Sequence, residues 1–479
     1  MKRSAGILMH ISSLPGKRGI GSLGNAAYEF VDFAADAKLS LWQVLPLCTT
    51  SYGDSPYQSP SALAGNPYFI DLDTLAGDGL LRSTELPEYP AGDVDYARLF
   101  EERYATLKKA YRRFDKNLPD YVSFKAENAS WLDDYALFMA IKEAHGYASW
   151  DTWEDGLRYR TASLKKFSAR AEFYKFLQYE FFTQWKRLKA YANSKGIYIV
   201  GDMPIYVAYD SVDVWADPKQ FLLEPDLSRK SVAGVPPDYF SAEGQLWGNP
   251  IYDWDYMEST GYAWWIKRMR AALGLYDIIR IDHFRAFADY YAIPAGYTDA
   301  KIGEWKTGPD KKFFDVIDRE LGSPAIIAED LGELHDCVRE LVKATGYPGM
   351  KVLQFAFDGN PANEFFYENY PENCVAYSGT HDNDTTRGWF SSLDDGGKEL
   401  VCRMLDCSGE RVTQTFVERL FASKANTVVI PMQDFLDLPS SARMNTPSTL
   451  GGNWTWRCTE DYGSRAAEIR ALVESTGRA

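Results

Sequence analysis

The sequence predicts an α/β chain folded as a (β/α)8 TIM barrel, with large insertions between strands two and three and between strands three and four. Three observations support this. Short apolar, β-branched runs recur along the chain, as buried parallel strands do when both faces are covered. Helical patterns separate most of them. Polar, carboxylate-bearing residues follow the runs at the end where a barrel keeps its active site. A doubly wound open sheet is the alternative architecture.

Eight runs read as strands: Gly6–His10, Leu41–Leu47, Ile197–Met203, Asp277–His283, Ala325–Asp330, Val352–Phe357, Cys374–Thr380 and Thr427–Met432. A helix from Ala26 through Val31, Phe33 and Ala34 leads to the second. Phe173, Leu177, Phe181, Trp185, Leu188 and Ala192 recur near i, i+4 spacing and stop at Lys195-Gly196. A glycine just past a helix, followed by IYIVGD, is an αβ unit. The expected organisation is one catalytic barrel over 1–479. A helix-rich insertion covers 70–170, and a loop-rich insertion over the site covers 204–275.

Composition agrees with a large folded core: 479 residues, 46% apolar and 25% charged. A net charge of −15 argues against nucleic acid, which needs a basic face. The 14 Trp and 31 Tyr mostly serve a big core, yet some suit a groove for sugar rings. No stretch is long and apolar enough to predict a membrane span. The first residues lack the pattern of a signal peptide. Six scattered Cys form no C-x-x-C and none pairs with a His at metal spacing, so reduced thiols in a cytoplasm are expected. Gly19, Gly21 and Gly24 spell G-x-G-x-x-G, but no strand precedes them directly, and a plain loop is the better reading.

The strand ends carry the chemistry. Run three ends in Asp202. Run four gives Arg280, Asp282, His283 and Arg285. Run five gives Glu329 and Asp330, and run seven gives His381 and Asp382. Three of the five His (His10, His283, His381) fall at such ends. Carboxylates converging over a barrel mouth suit glycosidic chemistry, with one nucleophile and one acid/base. Asp282 is the better nucleophile, because Arg280, two residues back, lies on the same strand face and favours the ionised form. Glu329 is the better acid, because burial raises a carboxyl pKa. Asp382 then holds sugar hydroxyls. Structural readings stand beside these: an ion pair for Asp282 with Arg280, a helix cap for Asp330, a turn or cation site for HDND.

These segments look like the four short regions shared by the α-amylase superfamily. More closely, the chain resembles the 4-α-glucanotransferases (amylomaltase or disproportionating enzyme, glycoside hydrolase family 77). HISSLPG (10–16), SPYQSPSALAGNP (55–67), PPDYFSAEGQLWGNPIYDW (236–254) and GGNWTWR (451–457) carry the resemblance along essentially the whole chain. It implies Asp282 as nucleophile, Glu329 as acid/base and Asp382 as stabiliser. It places Tyr57, Asp202, Arg280 and His381 around the donor sugar and Tyr239, Phe240 and Trp247 over the acceptor side. It has Asn453 and Trp454 reach in from the last connection. Val207 stands where amylases carry a His, a departure the glucanotransferases share. Glu243 and Ser448 stand where Thr and Gly are common. The chain after Met432 reads as loop plus helix, not the C-terminal β-sandwich usual in amylases.

The expected reaction is retaining transfer of 1,4-α-glucan segments, from maltooligosaccharides and longer glucans, to a 4-hydroxyl of glucose or another glucan. A carboxylate pair suffices for it, so no metal or cofactor is expected. The rivals are an α-glucan hydrolase of the same superfamily, a catalytically inactive glucan-binding protein and a metal-dependent barrel isomerase.

Overall fold

The computed structural model describes the chain except for Met1, Tyr52, residues 238–241 and Glu333. Eight parallel strands form the barrel: β1 (Ser4–Leu8), β2 (Leu41–Gln43), β3 (Tyr198–Pro204), β4 (Ile278–Asp282), β5 (Ile326–Ala328), β6 (Gly349–Val352), β7 (Cys374–Tyr377) and β8 (Thr427–Pro431). Each pairs with its neighbour in chain order except β5 with β6, and β8 pairs with β1 from Ser4↔Thr427 to Leu8↔Pro431. The seam between β5 and β6 is bridged by Ala328 N–H, which donates to Pro348 C=O at 3.0 Å.

Side chains alternate along each strand, as a pleated strand requires. Ile7, Ile199, Ile279 and Ile281 face the outer helices. Leu8, Leu41, Val200, Ile327, Met350, Val352, Val375, Tyr377 and Val429 fill the barrel interior. Toward the C-terminal rim the interior turns polar: Gln43, Asp202 and Arg280 are buried there, and Tyr377 Oη donates to Gln43 Oε1 at 2.9 Å.

Seven of the strands fall where the apolar runs are, though most stop a few residues earlier at their C-terminal ends. The sixth is different. The expected run Val352–Phe357 enters the sheet only at Val352, and β6 is Gly349–Val352. Leu353–Ala356 winds as a 3-10 turn. Lys351 had masked the strand as a polar residue; its amine pairs with Glu364 instead of facing the core.

Residues 70–170 hold the helices Leu72–Gly77, Tyr96–Arg113 and Pro119–Ala144, the last packed along the long helix Ser168–Ser194 that leads into β3. Gly196, at φ 79°, ends that helix in the left-handed region. The stretch between β3 and β4 is more regular than a loop. Its strands Ser231–Val235 and Gln245–Pro250 join Asp289–Pro294 and Glu304–Thr307, from beyond β4, in a four-stranded antiparallel sheet. After β8 come a short helix, a long loop and the helix Ala466–Ser475.

Gly201 carries a packing constraint next to the site. A Cβ there would lie 2.0 Å from the Tyr276 ring, and Tyr276 Oη in turn accepts from Leu47 N–H at 3.3 Å. Gly201→Val should therefore cost about 1–3 kcal/mol or more by overpacking. Urea unfolding checks this, and an unchanged midpoint would contradict the close approach.

Candidate active site

Asp202 projects inward near the end of β3 and Arg280 inward from β4, the two paired in register. Arg280 Nη1 donates to Asp202 Oδ1 at 2.8 Å and Oδ2 at 2.6 Å. Its Nη2 lies 3.1 Å from Asp282 Oδ1. Burial works against this guanidinium charge, but Asp202 and Asp282 outweigh it and hold Arg280 protonated. Tyr57 Oη donates to Asp202 Oδ2 at 2.9 Å, tying the loop after β2 to the same group.

Directly after Asp282, His283 adopts a left-handed backbone, φ 53°. This turn aims its N–H at Glu329 Oε2, 2.6 Å away. Glu329 Oε1 accepts from Leu331 N–H at 2.9 Å. The backbones of β4 and β5 also join here, with Glu329 N–H donating to Ile281 C=O and Phe284 N–H to Glu329 C=O. Asp282 and Glu329 are thus fixed on adjacent strand ends by the main chain.

Both carboxyls are shifted upward. For Asp282 the causes are burial first, then the neighbours Asp202, Glu329 and Asp382, with Arg280 opposing them. For Glu329 burial again comes first, opposed by Arg280 and the two backbone N–H groups. The expected rise at Glu329 is present. The expectation that Arg280 simply keeps Asp282 ionised needs correction, because burial and three other carboxylates outweigh one guanidinium. The two acids titrate as a pair. Arg280 touches Asp282 directly, so we place the pair's negative charge there.

Asp382 follows β7. Its Oδ1 accepts from Asn445 Nδ2 at 2.6 Å and lies 3.3 Å from His381 Nε2. Arg443 Nη2 donates to the Asp382 carbonyl at 2.7 Å, and Asn445 N–H donates to the His381 carbonyl. Burial lowers the His381 pKa, so the ring is neutral at neutral pH. Tyr57 stacks on His381 with ring centroids 5.2 Å apart, and Trp454 closes the group at 5.7 Å from Tyr57. His10 lies behind, its pKa pushed down to about 3 by burial and then by His381.

The remaining expected residues divide. Trp247 reaches across from the second sheet and meets the His283 ring edge-on at 4.7 Å. Tyr239 and Phe240 lie outside the described residues. Asn453 does not offer its amide to the cleft as expected: Oδ1 accepts from Thr446 N–H, and Nδ2 donates to Thr449 O and Oγ1, closing its own loop. Arg285 turns away from the mouth to Asp289. Asp330 anchors the barrel seam, accepting from Met350 N–H at 2.7 Å. Glu243 pairs with Lys301 at the rim. Ser448 holds φ 63°, a conformation that favours glycine and explains why glycine is common there.

Comparison with known proteins agrees with this geometry. The family model described as 4-alpha-glucanotransferase matches residues 9–462. The chain belongs to the 4-α-glucanotransferases. It is 48% identical to the 4-alpha-glucanotransferase of Clostridium butyricum, over 98% of this chain and 100% of that one. It is 46% identical to that of Thermus thermophilus, over 100% and 99%. A solved amylomaltase from Streptococcus agalactiae, in complex with acarbose, superposes with a TM-score of 0.96 at 41% identity, covering both chains completely. The enzyme is a glycosyltransferase that moves 1,4-α-glucan segments, and the barrel is that of an amylomaltase.

Arg443 and Asn445 are the site residues missed in the sequence. They sit in the loop after β8, with no motif to mark them. Only the adjacency of β7 and β8 in the barrel points to them. Asn445→Ala removes a hydrogen bond to a carboxylate, worth about 1.5–3 kcal/mol. We expect kcat/KM to fall roughly 10- to 100-fold with little change in melting temperature. A kinetically silent Asn445→Ala would remove this residue from the site.

The Asp282 shift has a stability consequence. Its folded pKa lies above the unfolded value of about 3.9, so folding takes up protons between the two. That contribution is fully present below the unfolded value and is lost as pH rises through the folded one. Asp282→Asn cannot ionise. It should melt higher than the parent at neutral pH, with the gap closing as pH falls toward about 4. Parallel melting-temperature profiles would contradict the shift.

Proposed function

We propose that this enzyme transfers glucan by double displacement, with Asp282, Glu329 and Asp382 in named roles. The observation that carries the reading is the main-chain lock between β4 and β5, which holds Asp282 beside Glu329 while Arg280 touches Asp282. The Asp282 carboxylate attacks the anomeric carbon as Glu329 protonates the leaving glycosidic oxygen, giving a covalent glycosyl enzyme. Glu329, now deprotonated, takes the proton from an acceptor 4-hydroxyl. That oxygen displaces Asp282 from the anomeric carbon and restores both carboxyls.

Asp382 suits the role of sugar ligand. His381 and Asn445 converge on Oδ1, which leaves Oδ2 for sugar hydroxyls. Tyr57 and Trp454 supply aromatic surface beside it. Trp247 suits the acceptor side, at the edge of His283 and close to the backbone that orients Glu329. Transfer prevails over hydrolysis when this side binds sugar and excludes water. Maltooligosaccharides as donors and glucose as product or acceptor follow from this reading. The six Cys are all unpaired, which suits a cytoplasmic setting. Among the described residues no helix is long and apolar enough to cross a membrane.

Incubation with maltotriose tests the reaction. Glucose and longer maltooligosaccharides should appear with no net gain of reducing ends, whereas a steady rise in reducing ends would identify a hydrolase. Glu329→Ala should lower kcat by roughly 10²–10⁴ on maltotriose. On a donor whose leaving group needs no proton, the glycosylation step should be largely spared. Equal losses in the glycosylation step on both donors would deny Glu329 the acid role.

A further inference from the structure

Outside the cleft, three side chains of different chemistry meet on the far side of Arg285. Asp289 lies on the second sheet and is buried. His335 and Cys337 lie at the start of the helix Asp336–Thr345, a few residues beyond Glu329, and Cys337 is exposed. His335 Nδ1 contacts Asp289 Oδ2, and Cys337 Sγ lies 3.6 Å from the same oxygen. One ligand atom from each of the three falls within 4.8 Å of the other two.

We propose that Asp289, His335 and Cys337 bind one divalent ion of the zinc class. The donor set is one carboxylate oxygen, one imidazole nitrogen and one thiolate. Mixed N/O/S ligation of this kind suits zinc and disfavours magnesium or calcium, which take oxygen ligands. The spacing fits as well. Tetrahedral bonds of about 2.0 Å to oxygen and 2.3 Å to sulfur put the two donors about 3.5 Å apart. The Cys337–Asp289 separation already matches. His335 needs only to swing out from its direct contact with Asp289, and its side chain is 46% exposed. Water then completes the fourth position.

Arg285 touches two of the three ligands: its Nη2 lies 3.4 Å from His335 Nδ1, a contact that the outward swing of the ring must break. Its Nε and Nη2 donate to Asp289 Oδ1, at 3.1 and 2.8 Å, and leave Oδ2 facing His335 and Cys337. Metal-bound carboxylates are commonly held in this way through their other oxygen. Trp305 packs under both partners, 4.1 Å from the Arg285 guanidinium carbon and 4.8 Å from the His335 ring, which limits how the imidazole can turn. His335-Asp336-Cys337 escaped notice in the sequence because its third ligand comes from a distant strand. An ion here would tie the segment following Glu329 to the second sheet, which also carries Trp247.

Titration of the purified full-length enzyme with Co2+ tests the site. We expect a near-ultraviolet thiolate-to-cobalt absorption band that saturates at one ion per chain. Cys337→Ser should abolish the band, and His335→Ala should weaken binding at least tenfold. Replacing both Cys402 and Cys407 by Ser should leave it intact. Zn2+ should raise the melting temperature of the parent but not that of Cys337→Ser, with maltotriose turnover confirming that the variant is folded. No band at millimolar Co2+, or a band that survives Cys337→Ser, overturns the proposal.

Discussion

Arg280 is the contact on which the barrel mouth depends. Its guanidinium is buried and is bonded to Asp202 from β3 and to Asp282 from its own strand. Without it, several carboxylates would face one another in a space sheltered from water, at a cost of several kcal/mol for an uncompensated buried charge. Arginine suits this place better than lysine. Its planar fork reaches both partners at once and stays protonated under burial. The strand pairing Asp202↔Arg280 sets the geometry before any side chain chooses a rotamer.

Two further locks refine what Arg280 begins. One is main-chain: the left-handed turn at His283 sends an N–H to Glu329, so this carboxyl is oriented by backbone and not by a flexible partner. The other comes from the loop after β8, where Arg443 and Asn445 grip both the carbonyl and the carboxylate of Asp382. Glu329 and Asp382 are therefore each fixed by an element other than the strand that carries them, and Asp282 by Arg280 on its own strand. Such preorganisation limits reorganisation during the reaction.

The barrel was largely legible in the sequence because its strands are buried on both faces and read as apolar runs. The chemistry was legible because polar residues interrupt those runs at one end only. Legibility failed where a residue's role is set by a remote segment. Lys351 hid β6, since its pairing with Glu364 cannot be inferred from local pattern. Asn453 looked like a cleft residue from its motif, yet its amide closes its own loop. The second sheet draws strands from both sides of β4, and a pass along the chain sees them as unrelated short segments.

The charge balance of the mouth bears on how such a site works. Asp202, Asp282, Glu329 and Asp382 gather around the Arg280 guanidinium; burial is the first cause of the upward shifts at Asp282 and Glu329, and the neighbouring carboxylates add to it at Asp282. In the ground state this excess of carboxylates is a cost, partly relieved by protonation. As the glycosidic bond breaks, positive charge grows at the anomeric carbon and on the ring oxygen. A site already too negative for its own stability then gains an attraction that the neutral sugar did not offer. Binding that strengthens only as the bond breaks is what lowers a barrier. The strain stored in the carboxylate cluster and the stabilisation of the transition state are, on this reading, one electrostatic feature, with Arg280 setting how far the excess can go.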